Sequence, residues 1–118
     1  MNQKNIKEQD IKQIIETFDF VPNRNKLVIT LNLIESKDKI VEEESALDEV
    51  QYVIASGETA LYKPGDKVML DIAKLMTPQR SSIDATNVMN ILQVTPYQFN
   101  DNIFSIIDDN KVLGKFIK

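Results

Sequence analysis

The stretch from Tyr52 to Leu70 constrains this chain more than any other. An apolar run, Tyr52-Val53-Ile54-Ala55, is followed by a polar interval and then by Lys63-Pro64-Gly65-Asp66, which leads into a second run, Val68-Met69-Leu70. Proline fixes φ at the second position of a tight turn, glycine supplies the positive φ needed next, and the aspartate side chain can close the turn. Two short strands joined this way, in a chain of 118 residues that can bury one core, predict a small β fold.

The remaining apolar periodicity agrees. Leu27, Ile29, Leu31 and Leu33 alternate with Val28, Thr30 and Asn32, the period of a strand with one buried face. Further strands are expected over Gln51–Ala55, Asp66–Ile72 and Asn90–Val94. A closing pair of strands surrounds the corner Asp108-Asp109-Asn110. Residues 76–82 read as a loop by composition, and 84–90 as a turn of helix or an irregular excursion. Before the first strand, residues 2–18 read as a short amphipathic helix, with Ile6, Ile11, Ile14, Ile15 and Phe18 on one side. The expected architecture is therefore mostly β: a small antiparallel β-barrel over residues 20–118, preceded by a helical extension over 1–19. Leu27, Ile29, Leu31, Leu33, Val53, Val68, Leu70, Ile91, Ile106 and Val112 are expected to point inward.

Composition closes off much chemistry. With no cysteine and no histidine, the chain has no thiolate nucleophile, no disulfide, no general base of the commonest kind and neither of the common soft metal ligands. Asp66 with Asp71, or Asp108 with Asp109, could in principle share acid and base roles or hold a divalent ion. Their places beside turns read more simply as turn chemistry, and Ser81-Ser82 has no histidine to activate it. An enzyme is not expected, nor is a cofactor or a metal. Of the net charge of −4, the stretch from Glu35 to Glu49 holds −5, seven acids against Lys37 and Lys39. An acidic run of this kind is a solvated loop or a protein contact and argues against nucleic acid. No segment has the length of apolar sequence that a membrane span needs, and the N-terminus lacks the apolar core of a signal peptide, so the chain is expected to be intracellular when made.

In the order of its parts, the chain resembles the GroES (chaperonin-10) family, as a divergent phage-type member. Val21-Pro22-Asn23-Arg24-Asn25-Lys26-Leu27-Val28-Ile29 is similar to that family's opening, and Val53-Ile54-Ala55-Ser56-Gly57 to its strand ending in alanine, any residue and glycine. Lys63-Pro64-Gly65-Asp66-Lys67-Val68 resembles its next strand, and 103–117 its closing pair. The resemblance implies a GroES-like barrel, a partner-binding loop at 35–50, and oligomers in which neighbours pair through Lys111–Lys118 and the first strand unless the N-terminal helix covers them. The sequence also departs from the family. The loop has no glycine, its apolar tip is reduced to Ile40-Val41 and is followed at once by Glu42-Glu43-Glu44, the roof hairpin is missing between Gly57 and Pro64, and the N-terminal helix and residues 73–90 are extra.

Two non-enzymatic functions follow from the resemblance. The first is a virion structural protein, an auxiliary or cement subunit made in the host cytoplasm and docked on major coat subunits through the acidic loop (Glu42, Glu43, Glu44), the helix stripe (Ile11, Ile14, Ile15, Phe18) and the arm at 73–90. The second is a phage-encoded co-chaperonin that caps a chaperonin ring through Ile40 and Val41.

Overall fold

The computed structural model describes residues 5–34, 47–80, 88–92 and 94–117, and of 77–80 and 88–92 the backbone alone. One helix, α1 (Glu8–Thr17), precedes eight strands: β1 (Lys26–Thr30), β2 (Val50–Ser56), β3 (Lys67–Leu70), β4 (Met76–Arg80), β5 (Val88–Leu92), β6 (Tyr97–Phe99), β7 (Asn102–Asp108) and β8 (Val112–Lys115). Six strands form one sheet in the order β6-β7-β1-β2-β3-β8, every neighbouring pair antiparallel. Among the described residues the sheet does not close on itself, since β6 and β8 end it. The first strand, expected near an edge, lies at the centre because β7 returns to pair with it, Leu27 opposite Ile107.

The Lys63–Asp66 turn forms as the sequence dictates. Gly65 has φ +96°, the Asp66 N–H donates to the Lys63 carbonyl (3.0 Å), and Asp66 Oδ2 accepts from the Lys63 N–H (2.9 Å). The turn then docks on β2, where the Gly65 N–H donates to the Val53 carbonyl (2.7 Å). The next strand is shorter than expected. After Leu70, Asp71 accepts from the Lys74 N–H and starts a 3-10 turn, Ile72–Leu75, whose Leu75 is buried.

The sheet is buried on both faces, where alternation in β1 predicts one. Leu27, Ile29, Val53, Val68, Leu70, Ile107 and Val112 join Leu75 in a core on the inner face. On the other face Val28, Ile54, Ala55 and Phe104 pack with Ile6 and Ile11. A central strand reading Leu-Val-Ile needs both faces covered, and α1 supplies the second cover. Burying each such side chain contributes about 1.5–3 kcal/mol. Leu31 is also buried, while Leu33 is half-buried in an isolated bridge to Leu47. Ile106, expected inward, is half-buried on the helix side, and Ile107 takes the inner position. The Ile91 side chain lies outside the described residues.

Two long-range clasps set the start of α1, six residues later than the helix read from the sequence. The Ile6 N–H donates to Asn32 Oδ1 (2.8 Å) and Asn32 Nδ2 donates to the Ile6 carbonyl (2.9 Å). Reciprocally, Asn5 Nδ2 donates to the Leu33 carbonyl (2.7 Å) and the Leu33 N–H donates to Asn5 Oδ1 (2.9 Å). Each amide side chain imitates a neighbouring strand, so residues 5 and 6 stay out of the helix. Glu8 and Asp10 in the first turn suit the positive end of the helix dipole. At the other end Phe18 leaves the helix in an extended conformation and meets Phe104 edge-on at 5.3 Å and Phe99 at 5.0 Å.

Residues 76–80, read from the sequence as loop, pair with 88–92 as a separate two-stranded ribbon, Met76 opposite Leu92 and Arg80 opposite Val88; the strand expected over Asn90–Val94 thus begins two residues earlier, within the stretch that reads as a turn or excursion. Pro78 sits within it, opposite Asn90. Proline is tolerated there because each strand of a two-stranded ribbon has an open side on which a missing N–H costs nothing.

Gly57 marks a close backbone approach. Its N–H donates to the Lys26 carbonyl (2.9 Å), and the Thr59 N–H donates to the carbonyl of Arg24 (3.1 Å), itself at φ +53°. A Cβ at position 57 would overlap that Arg24 carbonyl. Gly57→Ala is therefore expected to lower stability by about 1–3 kcal/mol, read as a shift in the urea midpoint.

Candidate functional site

Three shallow hollows meet at one end of the sheet, and Phe116 borders all of them. The first, about 740 Å³, runs between α1 (Ile11, Ile15) and the Pro64–Lys67 turn. The second, also about 740 Å³, continues past Tyr52 toward Asn32, Ile34 and Val50. A smaller recess of about 250 Å³ lies on β8, between Met69 and Leu113–Phe116.

The side chains around Tyr52 are fixed from below by Gln51, which is wholly buried. Gln51 Oε1 accepts from Thr30 Oγ1 (2.7 Å) and the Asn32 N–H (2.8 Å), and its Nε2 donates to the carbonyls of Asn32 (2.8 Å) and Asp48 (2.7 Å). One amide thus joins the end of β1 to the approach to β2, and the Tyr52 N–H donates to Thr30 Oγ1 (3.0 Å). Above it, Tyr52 OH donates to Glu8 Oε1 (3.4 Å), linking the sheet to α1. Burial, then the charge of Glu8 and its hydrogen bond, then the charge of Asp48, push the Tyr52 phenol above its ordinary value. The fold thus favours the neutral phenol. Its contribution is complete below the unfolded value of about 10 and is lost as pH rises through the folded value. In an absorbance titration, the phenolate step removed by Tyr52→Phe is expected above pH 10, and alkaline unfolding is expected to become less steep in that variant.

At β8 the sheet ends with no further strand among the described residues. A register shift between Met69 and Leu70 leaves Leu113 without a partner in β3, and it is 64% exposed. Beyond it Phe116 is exposed and Ile117 is 87% exposed. The Phe116 N–H still donates to the Lys67 carbonyl (2.7 Å), and Lys67 Nζ stands 5.5 Å over the Phe116 ring. A second apolar patch surrounds β6 at the opposite edge, where Phe20, Val21 and Tyr97 are exposed.

The four carboxylates considered from the sequence are engaged in structure. Asp66 and Asp71 close turns, and Asp108 pairs with Lys26 at the surface. Asp109 is buried, accepting from Asn25 Nδ2 (3.2 Å) and the Leu61 N–H (3.0 Å). Among the described residues no group of three or more acids is placed to hold a metal ion, and no helix is long and apolar enough to cross a membrane. Of the residues proposed for partner contact, Ile11 is buried and Ile14, Ile15 and Phe18 are half-buried, all packed on the chain's own sheet. Ile40, Val41, Glu42, Glu43 and Glu44 lie outside the described residues, as do Ser81 and Ser82. Sequence reading missed Asn5, Asn32 and Gln51; Asn32 and Gln51 show only as polar amides that interrupt apolar runs, Asn5 has no local signal, and the exposure of Leu113 was missed as well. Neither a family model, nor a curated protein, nor a solved structure matches the chain.

Proposed function

We propose that the chain is a non-enzymatic assembly subunit, and specifically an auxiliary (cement) subunit of a phage virion, built on a GroES-like barrel and attached to major coat subunits. The observation that carries this reading is the unfinished sheet, whose last strand, with the residues that follow it, presents Leu113, Phe116 and Ile117 to solvent at an edge that has no further strand among the described residues. An edge of this kind invites a neighbouring chain. The order of motifs around the Lys63–Asp66 turn supports the barrel family, and the acidic segment from Glu35 to Glu49 supports attachment through charge.

The test is quantitative composition of purified particles. The chain is expected in fixed ratio to the coat subunit and to be released as salt rises, as partly exposed ion pairs are screened. Its absence from particles would end this reading. Nucleotide-dependent co-elution with a chaperonin ring, lost when Ile40 and Val41 are both changed to serine, would replace it with the co-chaperonin.

A further inference from the structure

We propose that the β8 edge receives an extended acidic segment of another protein, added as a strand beside Val112–Lys115. The proposal rests on the assembly reading above and names the chemistry of what docks.

Residues 111–118 carry Lys111, Lys115 and Lys118 and no carboxylate, a local charge of +3 in a chain of net −4. Lys67 adds a further cation beside Phe116. The counter-charge within the chain is slight, since Asp66 reaches Lys115 only at 3.8 Å and both side chains are partly exposed. A partner's carboxylate can take that place at little cost.

Lysines on an edge strand also deter pairing between copies, because two β8 strands side by side would set like charges against each other. Nor does β6 of another copy fit, since Tyr97–Phe99 carries no carboxylate. Yet an edge protected only against aggregation would be polar throughout, and this one leaves Leu113 and Ile117 almost uncovered. Alternating acidic and apolar side chains meet both requirements. A carboxylate meets Lys115, which lines the recess, while an apolar side chain enters the recess between Met69 and Phe116; Lys111, whose Nζ donates to the Lys74 carbonyl (3.2 Å), adds its charge at the start of the edge. Strand addition of this type takes affinity from main-chain hydrogen bonds and specificity from alternate side chains.

The test uses the full chain and two labelled peptides, Glu-Ile-Glu-Val-Glu-Ile-Glu and Lys-Ile-Lys-Val-Lys-Ile-Lys, in anisotropy titrations. The acidic peptide is expected to bind, weakening by about tenfold or more between low and high salt, and the basic one is not. Lys111→Glu with Lys115→Glu should reverse the preference. The chain has open space at Gly114, where a Cβ meets nothing within 4 Å, so Gly114→Val should keep the fold while filling the recess and weakening binding. The proposal is overturned if the wild-type chain leaves the acidic peptide free, binds both peptides alike, or binds it unchanged after the charge reversal. Particle composition is measured separately, so a failed peptide titration leaves the virion reading to stand or fall on its own result.

Discussion

Phe104→Ala is expected to destabilise the chain by about 3–5 kcal/mol, read from urea unfolding followed by circular dichroism. The side chain is 1% exposed on β7, packed with Val28 and Ile54, and its ring meets Phe18 at 5.3 Å and Phe99 at 6.0 Å. Truncation would open a cavity between sheet and helix and remove the ring on which the end of α1 rests. Phe20→Ala is the control. That ring touches Phe99 at 5.4 Å but is 38% exposed, so its loss should cost less than about 1 kcal/mol. Equal costs for the two would show that the helix does not depend on this contact.

Gln51→Ala is expected to cost about 3 kcal/mol, out of proportion to the apolar surface it removes. The change removes the hydrogen bonds to the Asn32 N–H and the Asp48 carbonyl, each a loss of about 1–3 kcal/mol where water cannot replace it, while the Asn32 carbonyl keeps the Asp48 N–H (3.0 Å). Thr30 Oγ1 keeps the Tyr52 N–H, which limits the total. Gln51→Glu separates hydrogen bonding from volume. It keeps the shape but turns a carboxylate oxygen toward two carbonyls inside the fold, so at neutral pH it should be at least as damaging as alanine. A Gln51→Glu variant as stable as the wild type would contradict the described orientation of the amide.

What was legible in the sequence was local. The Lys63–Asp66 turn is specified by three adjacent residues, and the inward positions of Leu27, Ile29, Val53, Val68 and Leu70 follow from short apolar runs. The helix start was not legible, because it is set by Asn5 and Asn32 acting on backbone 26 to 28 residues away. Residues 103, 104, 106 and 107 are all apolar, so either parity of β7 fits the pattern, and only pairing with β1 puts Ile107 rather than Ile106 inside. The composition of 76–82, with Pro78 in it, reads as a loop, yet a two-stranded ribbon has an open side that accepts the proline. The β8 edge was reached only through the family resemblance, which placed an open edge at Lys111–Lys118, and not from local pattern. Strand order is a property of the whole sheet, and nothing local tells that β7 returns to β1 while β8 is left outermost.

The register shift in β2 has a consequence for altering this protein. Val28 faces Ala55 and Ile29 faces Val53, so Ile54 is the supernumerary residue, and the strand changes phase there. Val53 serves the inner core, while Ile54 and Ala55 both serve the helix-side core. A combinatorial library that varied this strand on a strict two-residue rhythm would place a polar residue in one of the two cores whichever frame it began in. Deleting one residue there would restore the rhythm but reassign every side chain beyond it. Productive variation therefore has to be written in two frames that meet at position 54.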